Sequence, residues 1–166
     1  FTLGWTNTFS WKGLVLSLLV DGRYGGKVLS QTQADMDMYG VTKVTGDARD
    51  KGYVMLEGEK ITNVKGFYKS IVGGRAGVTE YYMYDATNFR LRELALGYTF
   101  PKRWMEATKF FRDIQLAFTA RNLFFIYKKA PFDPDLILST GNDNQAIEVY
   151  GMPTTRSMGF SLRVMF

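Results

Sequence analysis

Carboxylates, tyrosines and arginines are the groups with chemistry to offer in this chain, because its 166 residues include no histidine and no cysteine. Without His, the commonest metal ligand and the commonest general base near neutral pH are missing. Without Cys, there is no disulfide framework and no cysteine zinc site. Neither a Ser-His-Asp nor a Cys-His arrangement can be built. Glu80, Asp85, Glu93 and Asp113 remain for acid–base work, but not at a paired spacing, so a carboxylate-only hydrolase is a minor reading. No enzyme activity, catalytic residue, metal or cofactor is expected. Asp133, Asp135, Asn142, Asp143 and Asn144 carry oxygens that suit calcium. They lack EF-hand spacing, and turn-forming Asx residues account for them without an ion. Tyr81, Tyr82 and Tyr84 are the candidate ligand contacts, since tyrosine rings stack well on sugars. Loop packing or an aromatic girdle is the plainer account of the same three rings.

The charge balance points to no particular partner. Twenty-one basic and 16 acidic residues give a net charge of +5, yet no basic run is longer than Lys102-Arg103 or Lys128-Lys129. Scattered charge of this kind is a solvated surface rather than a nucleic-acid footprint. Arg90 and Arg92 are the cations worth placing, and their position depends on the strands around them.

Those strands are visible as period-2 alternation. In Met158–Phe166, large apolar residues at 158, 160, 162, 164 and 166 alternate with Gly159, Ser161, Arg163 and Met165. Phe1 to Trp11 puts Phe1, Leu3, Trp5, Asn7, Phe9 and Trp11 on one face and Thr2, Gly4, Thr6, Thr8 and Ser10 on the other. Lys12-Gly13 makes a tight turn into a second strand, about Leu14 to Tyr24. A third runs from about Thr87 to Phe100, with Arg90, Arg92, Leu94, Leu96, Tyr98 and Phe100 on a shared face. It is stopped by Pro101. A fourth spans about Ile114 to Phe124. Composition agrees: 26 aromatic residues, 17 glycines and 4 prolines favour strands and turns. The connection 101–113 holds a possible helical turn. The stretch from Gly25 to about Tyr84 reads as one long irregular loop. In it, Tyr53–Leu56 and Gly66–Val72 look strand-like, Gln31–Tyr39 looks like a short helix, and Gly73-Gly74-Arg75-Ala76-Gly77 forms a glycine-rich segment. A second long loop covers about 127–156.

No stretch approaches the roughly 18 to 20 apolar residues of a membrane-spanning helix, but five alternating strands suit a membrane barrel. With a periplasmic C-terminus, the short connections at 12–13 and 101–113 fall inside and both long loops fall outside, the usual asymmetry of bacterial barrels. Trp11, Phe100 and Phe166 then sit near the periplasmic interface, where an aromatic girdle belongs. Arg90 and Arg92 fall on the lipid face at its outer end, near headgroups and lipopolysaccharide phosphates. Five strands cannot close a barrel, for which about eight is the minimum. The alternation is already under way at Phe1 and no signal peptide precedes it. Residues 1–166 are therefore expected to be the C-terminal segment of a larger antiparallel barrel, ahead of the alternative that they are one copy of an oligomeric barrel.

Five motifs in order carry a resemblance. Asn88-Phe-Arg-Leu-Arg-Glu-Leu-Ala-Leu-Gly-Tyr-Thr-Phe-Pro101 resembles the LRLRNLTLGYTLP strand of SusC/RagA-type TonB-linked outer membrane proteins. Arg121-Asn-Leu-Phe124 is similar to their RNLF strand end, Phe132-Asp133-Pro134-Asp135 to the GFDPE that follows, and Gly151–Phe166 to their terminal strand. The opening strand with Asp21-Gly-Arg23-Tyr24-Gly-Gly26 resembles their DYRKGG turn. The loop from about 30 to 85 departs freely. The resemblance implies an all-β fold, a TonB-dependent receptor barrel of about 22 strands, with the plug domain and N-terminal strands absent from these residues. It implies an outer-membrane location, TonB as the energising partner through the missing N-terminal part, a SusD-like surface lipoprotein over the mouth, and lipid with lipopolysaccharide around the wall. The implied function is uptake of a nutrient in Bacteroidetes, an oligosaccharide or glycan fragment ahead of a peptide. The alternative from another class is a soluble secreted β-sandwich that binds glycans. It predicts a second apolar sheet covering the aromatic faces.

Overall fold

The computed structural model describes residues 1–72, 80–108, 110–139, 141 and 144–166. The glycine-rich segment 73–77, together with Asn142 and Asp143, lies outside the described residues. In chain order the elements are β1 (Thr2–Trp11), β2 (Leu14–Arg23), β3 (Lys27–Ser30), α1 (Gln31–Tyr39), α2 (Lys43–Lys51), β4 (Val54–Leu56), β5 (Glu59–Ile61), α3 (Val64–Val72), a 3-10 turn (Glu80–Tyr82), β6 (Met83–Asp85), β7 (Asn88–Thr99), α4 (Lys102–Thr108), β8 (Asp113–Lys128), β9 (Ile147–Glu148) and β10 (Ser157–Met165). They fall into two compact units. A sheet unit takes 1–25, 86–131 and 154–166, and an α/β unit takes 26–85 and 132–153.

The sheet unit is one five-stranded sheet of order β1-β2-β7-β8-β10, antiparallel throughout. Register aligns the sequence alternation into rows that cross every strand. Phe9, Leu16, Leu96, Phe118 and Phe160 form one row, and Trp11, Leu14, Tyr98, Leu116 and Leu162 form the next. On the opposite face, Thr8, Ser17, Ala95, Thr119 and Gly159 lie in a row beside Ser10, Val15, Gly97, Ala117 and Ser161. One face is thus large and apolar and the other small or polar. The apolar face is open, with Phe160 78% exposed. Gly13 makes the first hairpin possible. Lys12 and Gly13 both have positive φ, 45° and 89°, and a Cβ on Gly13 would stand 2.6 Å from the Thr99 carbonyl oxygen.

At one end of this sheet the alternation is broken by bulges. Register shifts at Leu19/Val20 between β2 and β7, and again between β7 and β8 on either side of Leu91. Leu19 pairs with Glu93 while Val20 pairs with Leu91, so Arg92 is the extra residue. An inserted residue exchanges the faces of everything beyond it. Arg90 therefore lies opposite Asp21 and opposite Phe125, not in the apolar rows. This corrects the expectation that Arg90 and Arg92 point to lipid headgroups. Arg90 is only 2% exposed and ion-pairs with Asp21 at 3.4 Å. Arg92 Nε donates to the same carboxylate at 2.7 Å, and its Nη1 to Asn122 at 3.3 Å. The Arg90 guanidinium also lies 5.2 Å from the Phe125 ring centre.

The α/β unit corrects the expectation of one long irregular loop and of a purely all-β chain. Its three-stranded sheet has β3 in the middle, antiparallel to β6 and parallel to β9, and β4 and β5 form a separate hairpin. Three helices supply the rest. α1 starts at Ser30, whose hydroxyl accepts from Gln33 N at 3.1 Å, and ends at Gly40 with φ of 71°. α2 repeats the device with Thr42 and Gly52. Residues 66–72, expected as strand, belong to α3. Asn63 Oδ1 accepts from Gly66 N at 2.9 Å at its start. Val64, Phe67, Tyr68 and Val72 then form a buried stripe at helical spacing. That stripe builds two small cores, one with Ala48 and Val54, the other with Ala34 and Tyr82.

Candidate ligand-contact surface

Tyr81, Tyr82 and Tyr84 do not act as one surface. A 3-10 turn spaces successive side chains by about a third of a circle, so Tyr81 and Tyr82 of Glu80–Tyr82 point apart. Tyr82 is 0% exposed and packs in the core with Ala34 and Val72. Its ring has no face open to a ligand. Burial, and then the charge of Asp37, raise its phenol well above the ordinary tyrosine value, so it stays neutral. Tyr84 is partly buried and meets Phe132 edge-to-face at 5.4 Å. Tyr81 keeps ring surface in solvent, held edge-on by Phe67 at 5.8 Å and Tyr82 at 5.1 Å.

Two clefts open on this unit. One, of about 320 Å³, is lined by Asp47, Lys51, Tyr53, Met55, Tyr68 and Tyr81 among others. The second, of about 260 Å³, is lined by Asp37, Tyr39, Arg49, Lys65 and Tyr68 with their neighbours. Helix ends build its wall. Gly40 closes α1, and the carbonyl of Gly40 accepts from Arg49 Nη1 of α2 at 2.9 Å. Asp37 is buried beneath, and its Oδ1 accepts from Gln33 at 3.0 Å and from the Thr42 hydroxyl at 2.6 Å. Among the described residues neither Arg49 nor Lys65 forms an ion pair. Sequence reading missed this cleft because its residues come from three helices, two of which carry no strong apolar period.

A second polar cluster ties the two stretches of the α/β unit together. Glu148, buried on β9, accepts from the Ser30 hydroxyl at 2.6 Å, the Thr32 hydroxyl at 2.7 Å and Gly151 N at 3.2 Å. Its charge thereby sits at the first turn of α1, where a carboxylate is favoured. Tyr150 reaches back to Asp35, and that hydrogen bond raises its phenol above the ordinary value. Asp133 accepts from Asp135 N at 3.1 Å, the Asx geometry of a turn. Among the described residues no three carboxylates gather as a metal site. Glu93 pairs with Arg121 at 3.0 Å. Glu93 lies opposite Arg121, and Asp113 begins the same strand eight residues away, about 27 Å at the rise of a strand. The two carboxylates cannot act on one bond.

Comparison with known proteins agrees with the motifs. No family model matches the chain. TonB-dependent receptor P3 of Formosa agariphila is 22% identical over 171 aligned residues, an alignment that covers 100% of this chain and 16% of that protein. The RagAB peptide importer in its open-open state superposes with a TM-score of 0.69 at 17% identity, covering 99% of this chain and 17% of the solved one. The closed-closed state gives 0.64 at 16% identity, covering 97% and 16%. The chain thus spans about a sixth of the proteins it matches, and its strand-rich fold is the one found in them. Motifs, sequence match and fold agree in direction: the chain is similar in sequence to a TonB-dependent receptor and in fold to part of RagAB.

Proposed function

We propose that the chain supplies part of the barrel wall, together with an α/β unit, to a TonB-dependent importer of an oligomeric nutrient. One observation carries the reading. Two rows of large apolar side chains cross all five strands, with Asn7 a polar member of the next row opposite Leu18, and small or polar rows run behind them. Lipid is the solvent that suits the first face, and a wet lumen suits the second. A soluble β-sandwich needs another apolar sheet against those rows. The sheet unit contains one sheet among the described residues.

Residues 1–166 act here as the C-terminal segment of the receptor. TonB energises the longer protein through its N-terminal part, and a SusD-like lipoprotein works at its mouth. RagAB, similar in fold, is described as a peptide importer, which supports a peptide substrate over the oligosaccharide placed first by the family resemblance. Tyr81 is the one of the three whose ring remains open for contact. Uptake of labelled oligopeptides and oligosaccharides by cells, with and without an uncoupler, tests the reading. Uptake of one class that stops when the proton-motive force collapses and when this protein is deleted is the expected result. Unchanged uptake after deletion of the protein contradicts it.

A further inference from the structure

The cleft between the ends of α1, α2 and α3 has a chemistry of its own. Its floor carries Asp37, which is 4% exposed and already accepts two hydrogen bonds, from Gln33 and Thr42. Its mouth carries Arg49 and Lys65, both exposed and outside any ion pair among the described residues. Arg49 gives one donor to the Gly40 carbonyl, which fixes its guanidinium at the rim and leaves other donors of the fork for an acceptor. Tyr39, 76% exposed, adds aromatic surface, while Tyr68 is buried in the wall. The reachable charge is therefore positive beside one open ring, while the negative charge is internal and satisfied. At about 260 Å³ the cleft is smaller than the roughly 300–1,000 Å³ of sites that engulf a drug-sized ligand. It has room for one residue or one sugar ring rather than for an oligomer.

We propose that this cleft binds a single carboxylate-bearing unit at the end of an oligomer. Arg49 and Lys65 hold the carboxylate, and the exposed ring of Tyr39 lies against the body of the unit. A guanidinium and an ammonium on one carboxylate form charge-assisted bonds, which are stronger and more directional than neutral ones. The same chemistry is presented by the C-terminus of a peptide and by a terminal uronic acid. The choice of these two sources rests on the import reading, and the binding itself does not.

The test is calorimetric titration of the intact natural protein in detergent. The probes are a tripeptide with a free C-terminus, its C-terminal amide, a galacturonate trimer and the methyl ester of that trimer. Saturable binding of one acid is expected, weakened about tenfold or more by blocking the carboxylate, by Arg49→Gln and by Lys65→Gln. Lys51→Gln, at the other cleft, should leave the affinity unchanged. Both substituted cations are at the surface, so the fold survives their loss and circular dichroism checks it. Whichever acid binds identifies the source. Equal binding of acid and blocked forms, no binding of either acid, or indifference to both substitutions overturns the proposal. Saturable, Arg49-dependent binding in a protein whose deletion leaves uptake unchanged would overturn the import reading alone.

Discussion

The sheet unit and the α/β unit are stabilised in opposite ways. The sheet exposes its largest side chains, Phe160 and Trp11 among them, and sets small ones such as Gly159 and Ser10 on its other face. The α/β unit hides Phe67, Tyr68 and Tyr82 and keeps its two buried carboxylates, Asp37 and Glu148, in hydrogen bonds. On the proposed function, the first meets hydrocarbon and the second meets water. The difference lies in period: two residues in the sheet, nearly four in α3. Where the sheet departs from its own rule, at the bulge around Arg92, it does so to bring two guanidiniums to one carboxylate.

That carboxylate gives the largest expected effect. Asp21→Asn takes from the buried Arg90 and from Arg92 the carboxylate that they share, and removal of one partner of a buried pair costs about 3 kcal/mol or more. The urea midpoint of the folded, heat-modifiable form should fall accordingly, and no change would mean that the bulge is held by backbone pairing alone. Adjacent residues on β10 test the two faces next. Phe160→Arg should cost about 2–4 kcal/mol in a bilayer, while Ser161→Arg should cost less than about 1 kcal/mol if it meets lumen water. A soluble sheet would tolerate Phe160→Arg well, because that side chain would already lie in water.

In the α/β unit the expected losses are smaller and come from hydrogen bonds. Glu148→Ala strands the Ser30 and Thr32 hydroxyls and Gly151 N, at about 1–3 kcal/mol, read as faster proteolysis between residues 26 and 85. Thr42→Ala removes the N-cap of α2 and a bond to Asp37, at about 1 kcal/mol. Hydrogen exchange should rise in α2 and leave the sheet unit unchanged. A rise in both would show that the units unfold together.

Strands were legible wherever one face meets one solvent. Thr2–Trp11 and Ser157–Met165 follow the alternation residue by residue, and the Lys12-Gly13 turn is the chemistry its neighbours require. The bulge was not legible, since one extra residue has no compositional mark. The break in alternation at Leu123-Phe124-Phe125-Ile126 was its trace, beside Asn122 with φ of 52°. Gln31–Tyr39 could be read as a helix because Ser30 and Gly40 bracket it. Gly66–Val72 could not, because Phe, Tyr, Ile and Val are strand formers by propensity, and only packing against Ala48 and Val54 decides for helix. Tyr81 and Tyr82 look alike in sequence. The 3-10 turn that buries one and exposes the other depends on contacts far along the chain.

The central claim is that the aromatic rows face lipid. Residues 1–166 contribute no cysteine, so with any cysteine elsewhere in the protein replaced by serine, nitroxide labels can be placed one at a time at Phe160, Ser161, Leu162 and Arg163 of the protein in bilayers. Collision with oxygen should be high at 160 and 162, and collision with a water-soluble nickel chelate high at 161 and 163. Nickel access at 160 and 162 equal to that at 161 and 163 would contradict the membrane-wall account and return the sheet to water.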